Sequence, residues 1–429
     1  MTIPSDWQTG FLGELCTIEI GGTPSRNVAE FWDTSKETNN AWLSIRDLNK
    51  RVIRSTSEHI SEDGVKYSNV KRQPAGTVLM SFKLSIGRVA YAGIPLYTNE
   101  AIAGFRSEVV DHDFLYNGLQ HCDLLEGVDQ AIKGVTLNKA KLKKIKLHYP
   151  TSKVEQIKIA EVIATVDQAI EQTEALIAKQ QCIKTGLMQD LLTRGIDEHG
   201  QLRTEQTHAF KDSPLGRIPV EWEVASLGSV ADVSAGITLG KTHEGPDTVE
   251  LPYLRVANVQ DGFLDLSELK TIRIPKNHLE KYALEVGDVL MNEGGDFDKL
   301  GRGAVWEGQV PVCMHQNHVF KVRPHKNKLA SDFLAAVSAS PYGKSFFMMA
   351  SKQSTNLASI NSTQLKAFPL PLPSHDEQIR IQNHFKRLDG ALQGSQAELK
   401  KQKSLKTALM QDLLTGRKRV TDLLEPVAA

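Results

Sequence analysis

Ten polar side chains, most of them close to strand-like segments or to the turns between them, have the chemistry to bind the edges of DNA bases. Arginine and lysine can donate to guanine, and the amides of asparagine and glutamine can both donate to and accept from adenine. The ten are Arg46, Lys83, Arg88 and Asn99 in the first half of the chain, and Arg255, Asn258, Lys299, Arg302, Gln316 and Asn317 in the second half. For each residue taken separately, a solvated loop position or a phosphate contact is the favoured interpretation, because most hydrogen bonds between proteins and DNA go to the backbone.

Two other motifs are typical of different chemistry. Residues 235–242 (AGITLGKT) satisfy a permissive form of the phosphate-binding loop, in which alanine replaces the first glycine. That loop needs a helix directly after it, and the Gly-Pro pair at 245–246 would break such a helix. His315 and His318, near Cys313, could be imagined as metal ligands, but a fourth ligand at a recognisable spacing is lacking, so the two histidines are interpreted as turn residues. We therefore expect no catalytic centre, no cofactor and no metal bound by this chain itself.

The net charge of the chain limits how it could bind nucleic acid. Lys plus Arg and Asp plus Glu both number 51, so the formal net charge is zero. A protein that holds nucleic acid by charge alone needs a basic excess, so DNA binding would require a local patch or help from partner subunits. The densest basic segment consists of Lys139, Lys141, Lys143, Lys144 and Lys146. A solvated surface segment is an equally good interpretation of it.

Composition and cysteine usage indicate an ordinary globular protein. The 429 residues, 40% of them hydrophobic, are enough for two or three domains. Cys16, Cys122, Cys182 and Cys313 are far apart, which favours neither a disulfide framework nor a thiolate zinc site. The sequence starts with neither a basic nor an apolar run, and no apolar stretch approaches the ~18 residues that cross a bilayer, so we expect a cytoplasmic protein without a membrane segment.

The elements that must position the polar residues occur twice in the sequence. Displaced by 215 residues, the pattern Ile-Pro-x-x-Trp at 3–7 returns at 218–222. The Glu-Gln-Ile at 155–157 and the Met-Gln-Asp-Leu-Leu-Thr at 188–193 return 222 residues later. Matches in one order with slowly drifting offsets indicate an internal duplication with small insertions and deletions. The ends of the copies match best, whereas the first ~150 residues of each match mainly at glycines and apolar positions that a shared fold requires.

Each copy predicts a mixed α/β domain followed by a long helix. Residues 41–48 and 252–259 alternate like short strands, and Gly, Pro and Asn interrupt the remainder about every ten residues. Apolar residues then recur at spacings of three and four, which is a heptad seam. Its members are Ile159, Ile163, Val166, Ile170, Ile177, Leu187 and Leu191, repeated as Ile381, Phe385, Leu388, Leu392, Leu399, Leu409 and Leu413. The polar interruptions repeat as well, since Thr173, Gln180 and Lys184 correspond to Ser395, Gln402 and Lys406.

The long helices are expected to pair with each other in antiparallel orientation. A seam from Ile159 to Leu191 spans ~50 Å as helix. In a parallel pair the segment 194–217, whose residues 195–211 are a polar linker, would have to retrace that whole length, whereas an antiparallel pair needs no such return. Such a pair would place one domain at each end and create an internal pseudo-two-fold axis. DNA advances ~34 Å per turn, so the domains would meet two half-sites about one turn or slightly more apart.

The doubled pattern resembles the specificity subunit of type I restriction-modification systems. The features that carry the resemblance are the Ile-Pro-x-x-Trp motifs with Leu12-Gly13, residues 21–25 (GGTPS), Leu137-Asn138 with Leu142 and Ile360-Asn361 with Leu365, residues 371–373 (PLP), and the two Glu-Gln-Ile helix entries that end in Leu-Leu-Thr. The counterpart of residues 21–25, Gly236-Ile237-Thr238-Leu239, lacks the Pro-Ser, so its turn is expected to differ.

The resemblance implies a fold, a function and a set of partners. The fold class is α+β, with two mixed α/β target-recognition domains separated by an antiparallel pair of long helices, a coiled coil. The predicted boundaries are 1–150 for the first recognition domain, 151–193 for its helical spacer, 194–217 for the linker, 218–373 for the second recognition domain, 374–415 for its spacer and 416–429 for a tail. Each recognition domain would read one half of an asymmetric, interrupted site in double-stranded DNA. Two modification subunits would supply S-adenosylmethionine and methylate adenine, and restriction subunits would add translocation driven by ATP and Mg²⁺.

Two alternatives from other functional classes stay open at this point. The chain could be a noncatalytic coiled-coil scaffold that only tethers partner subunits. It could also be a nucleotide-dependent enzyme that uses Lys241 of the permissive phosphate-binding motif.

Overall fold

The computed structural model describes residues 3–83, 85–124, 137–240, 244–295, 300–301, 303–353 and 358–424. The chain divides into two compact units, the first formed by Met1–Ala175 with Ala397–Ala429 and the second by Leu176–Gln396. None of the described helices combines the length and the apolarity that a membrane span requires.

The first unit is built on two small sheets and a two-stranded ribbon. Neighbouring strands of the five-stranded sheet follow the order Thr17–Ile20, Ile102–Arg106, Val78–Ser81, Val89–Ala92 and Val52–Ile53. The four-stranded sheet has the order Glu58–His59, Ala41–Leu43, Leu96–Thr98 and Arg72–Gln73. The ribbon pairs Trp7–Phe11 with Lys146–Pro150. The short helices of this unit are Leu12–Leu15, Glu62–Lys66, His112–His121 and Lys139–Lys143.

The second unit repeats this framework with additions. Its four-stranded sheet has the order Ala231–Ala235, Val319–Pro324, Val289–Asn292 and Gly303–Val305. One three-stranded sheet has the order Lys270–Pro275, Thr248–Leu254 and Met314–His315. Another has the order Gly294–Gly295, Ala358–Ser359 and Lys352–Gln353. Two ribbons pair Phe210–Ser213 with Gly216–Pro219 and Glu223–Ser226 with Pro369–Leu372. The short helices are Leu227–Val230, Leu279–Tyr282, Ser331–Ala339, Pro341–Ala350 and Ser362–Lys366.

The repeated sequence motifs form the same structural features in both units. Trp7 and Trp222 are each buried in the core of their own unit. Asn138 caps the helix Lys139–Lys143 by accepting a hydrogen bond from the backbone of its third residue, at 2.9 Å. Asn361 caps the helix Ser362–Lys366 in the same way, also at 2.9 Å. The motifs that carried the resemblance therefore hold the framework together, because cap and core positions are where a fold constrains residue type.

The two long helices extend from Lys153 to Thr193 and from His375 to Leu413. With 41 and 39 residues, each is about 60 Å long. Both begin before the first seam residue because a serine precedes them, and Ser152 and Ser374 each accept a hydrogen bond from the backbone three residues later. All predicted seam positions are buried or half-buried along both helices, which confirms the heptad pattern.

The pairing of the long helices is antiparallel, as the sequence predicted. Within the first unit, Ile159 and Ile163 share a hydrophobic core with Leu413, and Lys406 lies 2.7 Å from the carboxylate of Asp167. Within the second unit, Lys184 pairs with Asp389. Since 167 and 389 are equivalent in the repeat, as are 184 and 406, the two ion pairs are the same contact made twice with the copies exchanged. That exchange is the mark of internal pseudo-two-fold symmetry.

The predicted strands at 41–48 and 252–259 were too long. The first ends at Leu43, and the side chains of Ser44 and Asp47 then hydrogen-bond each other across a turn. The second ends at Leu254, and a single 3₁₀ turn at Val256–Asn258 follows. Side-chain hydrogen bonds of Ser, Asp and Asn compete with strand pairing at these positions.

Candidate nucleic-acid interface

In the first unit, two predicted base-contacting residues follow neighbouring parallel strands. Ala41–Leu43 lies parallel to Leu96–Thr98, and the backbone N–H of Asn99 donates to the carbonyl of Leu43 at 3.0 Å. Arg46, which is exposed, comes three residues after the same Leu43. The carboxyl ends of parallel strands meet at one edge of a sheet, so Arg46 and Asn99 emerge at a shared edge.

Lys83 and Arg88 lie on the turn between two strands of the adjoining sheet. Phe82 donates its backbone N–H to the carbonyl of Ala101 at 2.9 Å, which brings this turn next to the turn that carries Asn99. The ammonium group of Lys83 lies 5.6 Å from the ring of Phe82, and Arg88 is exposed. The structure therefore brings the four predicted residues of the first copy onto neighbouring turns.

The second unit repeats the same junction with different side chains. Thr248–Leu254 is parallel to Met314–His315, and the backbone N–H of Gln316 donates to the carbonyl of Leu254 at 2.9 Å. Gln316 therefore takes the place that Asn99 has in the first unit. Arg255 directly follows Leu254 and lies beside it at the same edge.

Arg255 and Gln316 line a cleft of about 750 Å³, here called the second-copy cleft. Its walls are formed by Arg255, Val256, Ala257, Glu293, Gly294, Gly295, Gln316, His318, Lys352, Ala358 and Ser359. Among the described residues, the side-chain amide of Gln316 makes no hydrogen bond, so its donor and its acceptor both remain available. The cleft thus combines cationic donors, one amide and the carboxylate of Glu293, which together can match the edge of a base.

Several side chains around the second-copy cleft hold each other in place. The Nδ1 atom of His318 lies 2.6 Å from the carboxylate of Glu293, and its Nε2 lies 3.4 Å from the side-chain amide of Asn317. The Nη2 atom of Arg255 donates to the carboxylate of Glu268 at 3.2 Å. These contacts orient the donors before any ligand arrives, which lowers the entropy lost on binding.

Of the remaining predicted residues, Asn258 has different surroundings from Gln316. Asn258 is only 3% exposed, and its amide donates to the backbone carbonyls of Asp265 and Glu268 while its oxygen accepts from the backbone of Arg255. This amide therefore stabilises the turn after the strand. Lys299 and Arg302 lie outside the described residues. A contact between any of the ten residues and a base stays a prediction, as does a binding role for the exposed lysines around Lys139–Lys143.

Gly236 of the permissive phosphate-binding motif is explained by backbone packing, which does not involve phosphate. A Cβ atom on Gly236 would lie 2.0 Å from the carbonyl oxygen of His315, and one on Gly21 would lie 1.9 Å from that of Thr98. Only glycine allows this close approach of two backbones. Lys241 lies outside the described residues, residues 244–247 are non-helical, and a strand starts at Thr248.

His315, which we interpreted as a turn residue, lies instead in a buried strand, and Cys313 lies beside that strand. The Nδ1 of His315 is 2.7 Å from the carbonyl of Val319, and burial lowers the pKa of His315 to about 4. Cys313 is also buried, and burial raises the pKa of its thiol to about 12. Both side chains serve as core residues, as does Met314 between them.

Sequence reasoning missed Lys352 and Glu293, and it considered His318 as a metal ligand or, preferably, as a turn residue. Lys352 reaches the cleft through the pairing of short strands that are far apart in the sequence, Gly294–Gly295 and Lys352–Gln353, both of which pair with Ala358–Ser359. Such two-residue strands leave no periodic signal. The only available signal was the adjacency of His318 to Asn317.

Comparison with known proteins gives a family match over most of the chain. Residues 4–179 and 219–402 match the family described as the type I restriction modification DNA specificity domain. The chain is 27% identical over 270 residues to the type I restriction enzyme MjaIX specificity subunit of Methanocaldococcus jannaschii, a match that covers 61% of this chain and 60% of that protein. It is 24% identical over 215 residues to the EcoR124I/EcoR124II specificity subunit of Escherichia coli, covering 48% of this chain and 47% of that protein.

A solved structure supports the fold over a greater length. The S subunit of a type I restriction-modification system from M. genitalium superimposes with a TM-score of 0.56 at 14% identity, covering 96% of this chain and 98% of that one. By sequence, the matched stretches span 48–61% of the length of the curated M. jannaschii relatives. With both copies of the repeat matched by the family model, the chain belongs to the type I restriction-modification specificity family.

Proposed function

We propose that the chain is the noncatalytic DNA-reading subunit of a type I restriction-modification enzyme and that it recognises an asymmetric, two-part DNA site. The observation that carries the proposal is the repeated junction at the ends of the parallel strands. Asn99 and Gln316 make the same backbone hydrogen bond in the two units, yet they present side chains of different length. A common framework with unlike edges is what two modules that read different sequences require.

In this proposal each copy contacts one half of the site and the paired helices set the unread spacer between the halves. Two modification subunits dock on the chain and methylate adenine with S-adenosylmethionine, and restriction subunits add ATP- and Mg²⁺-driven translocation and cleavage. The chain itself binds neither cofactor. Phosphate contacts position it and base contacts select the site.

The test uses a host without other adenine methylation that expresses the chain together with its modification subunits. Sequencing of methylated adenines is expected to find one two-part motif, which disappears when the chain is omitted. Replacing residues 1–150 by an unrelated recognition domain is expected to change one half of the motif and to leave the other half intact. A scaffold that only tethers its partners would leave the whole motif unchanged, and that result would overturn the proposal.

A finer test addresses the second-copy cleft. Gln316→Ala is expected to cost about 1–3 kcal/mol of discrimination at one base pair of a single half-site. Lys326→Ala is the control, because Lys326 is exposed and does not line the cleft. Equal effects of the two substitutions on the methylated motif would contradict a reading role for the cleft.

A further inference from the structure

Arg26 of the first unit is unusually constrained for a side chain that is 52% exposed. Its guanidinium lies 3.6 Å from the ring centre of Trp32 and 5.0 Å from that of Trp42. The two indoles meet edge to face, 5.0 Å apart and at 89°. Glu58 completes the arrangement, because its carboxylate accepts hydrogen bonds from both Nη1 and Nη2 of Arg26.

The backbone that carries Arg26 is fixed by the same two tryptophans. The Nε1 of Trp32 donates to the carbonyl of Ser25 at 3.1 Å. The Nε1 of Trp42 donates to the carbonyl of Gly22 at 2.9 Å. The loop and the side chain of Arg26 are therefore held in one position, although Arg26 itself faces solvent.

Stability alone is a poor explanation for this arrangement. An exposed ion pair contributes only about 0–1 kcal/mol, and holding a long arginine still consumes much of that gain. Preorganisation gives a clear advantage for ligand binding, since the entropy of the arginine is lost during folding and not on association. Stacking on an aromatic face is a geometry that arginine adopts where it recognises nucleic acid.

The position of Arg26 agrees with such a role. Glu58 pairs in register with Trp42, one residue before Leu43 ends its strand. Thr23, in the same loop as Arg26, hydrogen-bonds to Glu100, the neighbour of Asn99. Arg26 is thereby placed at the end of the sheet from which Arg46 and Asn99 emerge.

We propose that Arg26 reads a guanine in the half-site bound by the first copy, an inference that rests on the proposed function. Arginine has five N–H donors, and the carboxylate of Glu58 takes one from each Nη atom. Three donors then remain, and two of them, the Nε–H and the outer Nη2–H, lie side by side and parallel. Guanine presents two acceptors, O6 and N7, that match this pair, whereas adenine presents a donor at one of the two positions. Glu58 is a positioning residue that orients the guanidinium.

The test measures competition binding of the complete complex with its partner subunits to duplexes that differ at one base pair of the recognised site. Arg26→Ala is expected to relax the preference for one guanine by about 5- to 150-fold, and to leave the other half-site unchanged. Arg26→Lys keeps the charge and guards against misfolding, and it is expected to relax the same position because an ammonium group cannot make two parallel hydrogen bonds. Glu58→Gln is expected to have a smaller effect at that same position.

Arg106→Ala is the matched control. Arg106 also pairs with a glutamate in the first unit, Glu19 at 3.0 Å, and is 38% exposed, but it has no aromatic stacking partner among the described residues. A uniform loss of affinity for all sequences in the Arg26 variants, with a shallower salt dependence, would assign Arg26 to a phosphate and overturn the inference. Unchanged preference in Arg26→Lys would overturn it as well. If the wild-type complex itself showed no sequence preference, the proposed function would fail, a result that is distinct from both of these.

Discussion

Glu377 lies in the first turn of the second long helix and is the acidic member of a buried ion pair. Its side chain is 4% exposed and that of its partner, Arg203, is 9% exposed. The Arg203 guanidinium donates to both carboxylate oxygens, and the same carboxylate accepts from the backbone N–H of Ile196 at 3.0 Å and from the Nε1 of Trp222 at 3.2 Å. One side chain thus connects the linker, the core tryptophan and the helix start.

We expect Glu377→Ala to lower the free energy of unfolding of the second unit by about 3–5 kcal/mol. The substitution leaves Arg203 charged, buried and without its carboxylate, which is the costly way to break a buried ion pair. For a unit of this size each kcal/mol lowers the melting temperature by about 2–4 °C, so the loss corresponds to roughly 6–20 °C. The double substitution Arg203→Met with Glu377→Met is expected to recover only part of the loss, because Ile196 and Trp222 still lack their acceptor.

The assay is limited proteolysis along a temperature ramp, with mass spectrometry to assign each cleavage to one of the two units. Glu205→Ala is the control, since Glu205 pairs with Arg217 at 3.2 Å while the side chains stay 64% and 57% exposed. Its effect is expected to stay within about 1 kcal/mol. A change of under about 1 kcal/mol for Glu377→Ala would refute the reasoning, because it would mean that water reaches Arg203 easily.

Three further outcomes follow from the structure. Gly236→Ala is expected to destabilise the second unit by about 1–3 kcal/mol or more, because the added Cβ would overlap a backbone oxygen. Gly390→Ala is expected to stabilise the same unit by about 1 kcal/mol, since Gly390 is helical with open space around it. Thermal unfolding of the two variants tests both expectations. The pKa of His315 is about 4 in the folded state, below its ordinary value of 6.5. Between pH 6.5 and 4 the unfolded chain therefore binds a proton at this histidine that the folded chain does not bind. The free energy of unfolding is expected to fall by roughly 3 kcal/mol as the pH falls through that range. His315→Asn should show a shallower slope in pH-dependent denaturant unfolding, and an identical slope would exclude this cause. A four-residue insertion after Thr173 would put the seam of the first long helix out of register, so we expect a changed spacer length in the methylated motif or a loss of methylation. An unaltered motif at full activity would argue against the helices as the element that sets the spacer.

The duplication and the paired helices could be predicted from the sequence because both produce long-range regularities. A seam that persists from Ile159 to Leu191 is far longer than an average helix, and its polar interruptions recur in the second copy. The ends of the strands at Leu43 and Leu254 could not be predicted in the same way. There the local hydrogen bonds of Ser44, Asp47 and Asn258 decide the conformation, and their partners cannot be identified from spacing.

The candidate interface was predictable by residue type but not by orientation. Gln316 and Asn258 are both amide residues next to a strand end. The side chain of Gln316 lines a cleft, whereas the amide of Asn258 donates its hydrogen bonds to backbone carbonyls. Lys352 joins the cleft through pairing between distant two-residue strands, which depends on the tertiary fold. Arg26 could not be singled out from the sequence because its ion-pair partner, Glu58, lies 32 residues away.

The distribution of likeness between the copies bears on the kind of DNA site. What repeats is structural: the buried tryptophans, the asparagine caps and the exchanged pairs Asp167–Lys406 and Lys184–Asp389. What differs lies at the strand ends, where Asn99 in one copy corresponds to Gln316 in the other. Two identical edges related by a two-fold axis would read a palindrome, as symmetric dimers do. Because this chain keeps the symmetric framework and varies the edges, we expect a site whose two halves differ in sequence.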